Sequence, residues 1–356
     1  ASRCSQRTSS AWSRWGHAGI AMGRTPEEIL ALARGEHADA LAALEDANVQ
    51  ATAGLLEAQL QILLRGAGAR WVRAFGSLEA DATADVATLK AIAAYLRDGV
   101  DALDLESIGP AVLAMLGPAF ALGVAQAAEI ADVRSSAERR PRPTPLERAQ
   151  VAESLTLATT MKGRALVALG SGHAWTPTWP HLARSFSKSH TIVSIVQRLV
   201  ATFTQGSAHR GGTALAATHG LGRLWVPERD ACYRCQAFAG RVAKAGAFTA
   251  GTYYGDGKAP DPVLAPPQHP RCRCAQVPIE PGSAAAVEMT AALEREARRS
   301  VAKGWTEAGG ESNAAALRAT ERLLDAGGRL PKSVLREAEL AVGRGGFVQR
   351  TVPTGS

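Results

Sequence analysis

Four of the five cysteines and one histidine fall in two short segments late in the chain. Cys232 and Cys235 lie in ACYRC, and His269, Cys272 and Cys274 lie in QHPRCRC. Thiolate sulfur and imidazole nitrogen are the ligands that zinc prefers in tetrahedral sites, and the CxxC spacing on a tight turn points two thiols the same way. Glycines and prolines surround both segments, so this unit has little core of its own and needs a metal or a supporting domain.

We expect a closed site of four ligands drawn from these five residues. Cys232, Cys235, His269 and Cys272 are the favoured set, because we expect Cys274, two residues beyond Cys272, to face the other way in extended backbone. An all-cysteine set that includes Cys274 is the alternative, and two disulfides or reduced buried thiols are the interpretations without metal. Four protein ligands leave no position for a reactive water, so the zinc would be structural. Residues 236–268 separate the pairs, a longer gap than in common zinc fingers.

Composition indicates a mainly helical, globular chain. Hydrophobic residues make up 46% and charged residues 21% of the 356 residues, alanine is abundant, and aromatics are few. We expect a mainly α fold, with helical bundle-like regions and a small zinc-stabilised α+β unit. The isolated Cys4 argues against a general disulfide framework and fits folding in a reducing cytoplasm. The net charge of +7 favours contact with a polyanion such as nucleic acid.

Helix-start signals divide the chain. Thr25-Pro26 with Glu28, and Thr144-Pro145 with Glu147, both match the capping box. The first predicts one long amphipathic helix; further helices are predicted near residues 81–100, 180–203, 284–305, 313–326 and 332–342, and strands at 224–226, 252–254 and 276–279. The predicted units are a disordered tail (1–24), a helical domain (25–132), an exposed linker (133–143), a helical region (144–220), the Cys/His unit (221–281) and a carboxy-terminal helical region (282–356).

The amino terminus and one apolar stretch bear on localisation. Residues 1–21 lack the apolar centre of a secretory signal, and Met22, just before the first helix, would be a natural start. No charged residue lies between Glu106 and Glu129, a length at which a membrane span must be considered. Glycines and prolines interrupt that stretch at positions 109, 110, 117 and 118, so a broken, buried helix pair is the expected structure and no membrane insertion is expected.

The Cys/His unit resembles the carboxy-terminal core of the Mu F-like minor head proteins of tailed bacteriophages, over about residues 205–281. In that family an acidic residue precedes a CxxC, an Ala-Gly pair follows it, and HPxCRC with a proline-containing strand closes the unit. The matching residues are Asp230, Cys232, Cys235, Ala239, Gly240, His269, Pro270, Cys272, Arg273, Cys274 and Pro278.

The resemblance implies a minor capsid protein that joins the prohead during head morphogenesis. Such a protein would lie inside the virion near the portal, after assembly in the host cytoplasm, with portal and capsid proteins as partners and nonspecific contact to packaged DNA. Residues 282–356 offer no recognisable active site, and we expect no catalytic role. The zinc is an inference from ligand chemistry and not from the resemblance.

Two other functions compete. A cellular nucleic-acid-binding zinc module would use Tyr233 to stack on a base, beside a basic surface formed by Arg234, Arg241, Lys244, Arg271 and Arg273. A zinc-dependent enzyme is the second alternative. The chain lacks the HxE and PCxxC elements of nucleobase deaminases and the HExxH and GxSxG patterns of proteases and hydrolases, so catalysis would need an unrecognised constellation.

Overall fold

A computed structural model of the chain describes residues 23–80, 82, 85–134, 142–170, 177–269, 272–306, 311–327 and 329–348. The predicted tail up to residue 22 and most of the predicted linker lie outside these residues. The helices are α1 (Pro26–Arg34), α2 (Glu36–Val49), α3 (Leu55–Phe75), α4 (Val86–Asp101), α5 (Ile108–Ala131), α6 (Pro145–Gly170), α7 (Trp179–Ser187), α8 (His190–Thr218), α9 (Tyr233–Gln236), α10 (Ala284–Ala302), α11 (Asn313–Asp325) and α12 (Lys332–Arg344). The strands are β1 (Gly222–Val226), β2 (Val242–Ala243) and β3 (Ala275–Ile279).

The mainly α fold with a small sheet-containing unit is confirmed. The capping boxes are present: the Thr25 hydroxyl accepts from the Glu28 amide and Glu28 accepts from the Thr25 amide, and Thr144 and Glu147 repeat both bonds. The single long first helix is wrong, because the chain turns at Gly35, where α1 gives way to α2. A π-helical turn at Gln50–Gly54 then joins α2 to α3.

Helices α3 to α8 pack around one hydrophobic core. Trp71 and Leu96 from the amino-terminal half and Leu169, Phe186 and Val196 from the later half are buried together in it. The predicted boundary at residues 133–143 therefore does not separate two cores. The predicted helix over 180–203 is two helices, because the chain turns at Lys188 and Ser189 between α7 and α8.

The apolar stretch forms one continuous helix, α5, and the predicted break into a helix pair is wrong. Pro118 lies inside the helix. The helix is long and apolar enough to cross a membrane by length and composition. It packs lengthwise on α8, with Gly123 against the Ala208 backbone and Gly211 against the Phe120 backbone. Side chains at these two glycines would force the helices apart, so the close contact depends on them.

The small sheet links the helical domain to the cysteines. It is antiparallel with order β2-β1-β3, and Gly222 pairs with Ile279 at one end of the β1–β3 ladder. Because side chains alternate across a strand, Leu224 and Val226 pack with Met289 of α10, whereas Trp225 packs on the opposite side with Cys235. The predicted strand at 252–254 is wrong, since these residues form no strand.

The carboxy-terminal helices α10, α11 and α12 match the predicted stretches. Ser283 and Ser312 cap α10 and α11 by accepting from backbone amides three residues ahead. Tyr233 of α9 is buried against Val301 and Leu323, so these helices support the cysteine unit from outside the sheet.

Candidate metal centre

A one-turn helix presents the first pair of cysteines. Cys232 is the N-cap of α9 and Cys235 lies within it, with the Gln236 amide donating to the Cys232 carbonyl at 3.0 Å. Side chains three residues apart on a helical turn share a face. Cys235 is buried and Cys232 is half-buried, so the pair opens toward the interior of the unit.

His269 and Cys272 meet this pair from a second turn, closed by the Cys272 amide donating to the His269 carbonyl. His269 Nε2 lies 3.1 Å from Cys232 Sγ and 3.3 Å from Cys235 Sγ. Cys235 Sγ lies 3.6 Å from Cys272 Sγ. The four favoured ligands thus converge on Cys235. Both disulfides of the metal-free interpretation are wrong, since all four cysteines are free.

Cys274 belongs to the same cluster, and the expectation that it faces away is wrong. The Sγ atoms of Cys235, Cys272 and Cys274 all lie within 4.8 Å of one another. The reason is the period of extended backbone: residues two apart point to the same side, so Cys272 and Cys274 face inward and the exposed Arg273 faces out. The structure therefore contains two ligand triads, Cys232–Cys235–His269 and Cys235–Cys272–Cys274, that share Cys235.

Hydrogen bonds between the thiols concentrate negative charge in the cluster. Hydrogen bonds from Cys235 and then from His269 lower the pKa of Cys232 to about 5. Hydrogen bonds from Cys235 and Cys274 lower the pKa of Cys272 to about 2. Hydrogen bonding with Cys232, Cys272 and Cys274, together with burial, raises the pKa of Cys235. Buried thiolates are stabilised by a nearby cation, and each of the two triads could hold a metal ion.

A buried histidine that the sequence analysis missed lies behind the cluster. His209 of α8 hydrogen-bonds the Cys274 carbonyl, and burial lowers its pKa to about 4. The ring is therefore neutral at physiological pH and fixes the backbone that carries Cys274. No spacing motif links residue 209 to the cysteines, so only the packing of α8 on β3 places it there.

Aromatic rings enclose the cluster from the sheet side. Trp225 packs on Phe238 at 4.9 Å and on Phe248 at 5.3 Å between ring centroids. Arg223, which is buried, donates to the carbonyls of Leu264, at 2.5 Å, and Gly246. These bonds hold two points of the long segment between the cysteine pairs next to β1, which helps the long gap close on one site.

Ion pairs and hydrogen bonds connect the cysteine unit to helices α1, α10 and α11. Glu296 of α10 accepts from Arg34 of α1 at 2.6 Å and from Arg229 at 2.8 Å. Arg34 also donates to the Pro227 carbonyl just before the first cysteine pair. Asp256, between the cysteine pairs, binds Arg318 and Arg322 of α11.

The residues predicted to contact nucleic acid differ in burial and in ion pairing. Tyr233 is 6% exposed and cannot stack on a base. Arg273 forms a two-oxygen pair with Asp230 at 3.0 and 2.8 Å, and Arg241 lies 3.5 Å from Glu294. Arg234 and Lys244 are exposed, and Arg271 lies outside the described residues.

Two residues of the pattern that resembles the Mu F-like family have an identifiable structural role in this chain. The acidic residue before the CxxC, Asp230, pairs with Arg273 inside the HPRCRC segment and so joins the two cysteine pairs. Gly240 has φ of +71°, and a Cβ there would lie 2.7 Å from the Thr290 carbonyl oxygen. Only glycine meets both conditions, so Gly240 sets the distance between the sheet and α10.

Comparisons with known proteins identify no relative: no protein-family model, curated protein or solved structure matches the chain.

Proposed function

We propose that the five-residue cluster is a structural zinc site. Tetrahedral zinc, with bonds of about 2.3 Å to sulfur and about 2.0 Å to nitrogen, places its ligand atoms roughly 3.5–3.8 Å apart. The observed separations of 3.1, 3.3 and 3.6 Å between ligand atoms lie close to that range. Sulfur and imidazole ligands without a carboxylate favour zinc over magnesium or calcium. Bound zinc would take up the thiolate charge and add folding free energy to a unit with a small core.

Burial supports a structural role for this metal. Cys235, Cys272 and Cys274 are each at most 3% exposed. Trp225, Phe238 and Phe248 pack with the cysteines, and the five candidate ligands exceed the four that zinc needs. A catalytic zinc keeps one position open for water or substrate, and this ligand set would fill it.

For the whole chain, we propose a minor head protein of a tailed phage. The resemblance of the Cys/His unit supports this function, and one observation on the fold agrees with it: the Asp230–Arg273 pair and Gly240, both parts of the resembling pattern, hold that unit together. The protein would be built into the prohead near the portal and would contact packaged DNA without reading its sequence. The net charge of +7 suits a compartment filled with DNA.

Mass spectrometry of gradient-purified, nuclease-treated particles from the source culture tests this proposal. Peptides of the chain should occur in intact particles at low copy relative to the major shell protein. A variant with Cys235→Ser should be depleted from particles, because the unit would lose its metal, whereas Lys332→Gln on the exposed surface of α12 should be incorporated normally. Absence of the wild-type chain from particles and its recovery in the cytoplasm would contradict the proposal and favour a cellular zinc module.

A further inference from the structure

One surface of the helical domain carries basic side chains without acidic neighbours in sequence. Residues 58–78 and 154–227 contain no aspartate or glutamate. The first range covers most of α3, and the second covers much of α6 and all of α7 and α8. These helices pack against one another. Arg70 is also exposed, but it lies over the Tyr95 ring and donates to the Gly66 carbonyl. The other exposed basic residues form what we call the basic face: Arg65, Arg73, Arg164, Arg184, Lys188 and Arg198.

Helix α7 and the residue that follows it carry two members of the basic face. Leu182 and Phe186 are buried, whereas Arg184 and Lys188, one turn apart, are exposed. A recess of about 720 Å³ between α6 and the start of α8 is lined by Arg164 and Lys188. A second recess of about 670 Å³ between α3 and the start of α7 is lined by Arg65, Arg73 and Trp179. Each recess therefore has two basic side chains in its lining.

These side chains make few bonds within the protein: Arg164 contacts Met161 Sδ at 3.9 Å and Arg198 donates to the Ser194 carbonyl at 3.2 Å, each within its own helix. Across the part of the chain that the structure describes, none of the six forms an ion pair. Lys162, by contrast, is half-buried and donates to the Leu103 carbonyl. Arg241 and Arg273 of the cysteine unit pair with acidic residues. Unpaired cations that repel one another cost stability, so a face of this kind is suited to an anionic partner.

We infer that the basic face binds the phosphate backbone of double-stranded DNA. Five of the six residues are arginines, whose planar guanidinium groups match phosphate oxygens. An anionic membrane is the other extended polyanion, but membrane-surface helices also present a broad apolar side. Leu182 and Phe186 of α7 are buried in the core instead. The large apolar residues exposed in the two recesses are Val72, Leu78 and Val167, fewer than the broad apolar side of a membrane-surface helix. The inference rests on the proposed function only for the choice of DNA as partner.

Fluorescence anisotropy with a short mixed-sequence DNA duplex tests the inference. The test variant carries Arg164→Gln, Arg184→Gln and Lys188→Gln. The matched control carries Lys332→Gln, Arg336→Gln and Arg344→Gln, which remove the same charge from exposed positions of α12. Each phosphate contact contributes about 0.9 to the slope of log affinity against log salt. Between about 50 and 200 mM salt, wild-type affinity should therefore fall about 40-fold more than that of the test variant.

The control should behave like the wild type, and thermal unfolding should show that both variants are folded. Equal loss of affinity in the two variants would overturn the inference, because net charge alone would then explain binding. Binding to phosphatidylserine vesicles without binding to the duplex would also overturn it, in favour of a membrane. Zinc content and incorporation into particles are measured separately. If the wild-type chain fails to bind the duplex while its zinc content and its incorporation into particles are as proposed, this inference is contradicted and the proposed function stands.

Discussion

Replacing Gly240 by alanine should destabilise the protein through two separable effects. The positive φ of +71° costs a non-glycine residue roughly 1–2 kcal/mol. The new Cβ would also lie 2.7 Å from the Thr290 carbonyl oxygen and 3.0 Å from its Cα. Because both are backbone atoms of α10, the helix must shift, at a further cost of about 1–3 kcal/mol. Gly240→Ala should therefore lower the free energy of unfolding by about 2–5 kcal/mol.

Gly246 provides the matched control for that measurement. Its φ is +73°, yet no atom lies within 4 Å of the position a Cβ would take. Gly246→Ala should lower the free energy of unfolding only by the cost of the positive φ, about 1–2 kcal/mol. Urea unfolding of both variants, followed by tryptophan fluorescence and circular dichroism, gives the difference. Equal destabilisation by the two substitutions would refute the close approach of Gly240 to α10 and its role in setting the distance between the sheet and that helix.

Two further predictions concern helix packing and acid sensitivity. Gly123→Ala should lower the melting temperature, because its Cβ would overlap the Ala208 carbonyl oxygen, whereas Gly163→Ala, with open space around it, should stabilise α6 by about 0.5–1 kcal/mol. Hydrogen bonds from Arg318 and Arg322 lower the pKa of Asp256 to about 2. The stability that this ion-paired carboxylate contributes is therefore present above the pKa of an unfolded aspartate, about 3.9, and is lost as the pH falls toward 2. The stability difference between wild type and Asp256→Asn should accordingly be constant from neutral pH to about pH 5 and shrink below about pH 4; a difference that does not change with pH would contradict the pairing.

Local signals in the sequence predicted the helices best. The capping boxes at Thr25 and Thr144 predicted the starts of α1 and α6, because they act on the adjacent backbone. The structure adds caps of the same short-range kind at Ser283 and Ser312, which start α10 and α11. Interruptions were harder to predict. Gly35 ends a helix while Pro118 does not, because the packing of α5 on α8 outweighs the local cost of the proline.

The candidate metal ligands could be predicted from the sequence, whereas the residues that pack around them could not. Ligand spacing identified Cys232, Cys235, His269 and Cys272, and strand periodicity correctly applied would have added Cys274. His209 and the basic face depend on contacts between helices distant in sequence, for which no short motif exists. The buried position of Tyr233 likewise comes from the carboxy-terminal helices packing over α9.

The most direct test of the central claim is the zinc content of the reduced, purified chain, measured by plasma mass spectrometry together with unfolding in the presence of a chelator. We predict one zinc per chain, loss of that zinc in Cys235→Ser, and a lower unfolding temperature when the metal is removed. The Ser283→Ala variant, which loses the cap of α10 but none of the five candidate ligands, should be less stable yet keep its zinc. Well under one zinc per chain in the wild type, or stability unchanged by removal of the metal, would contradict the structural zinc site.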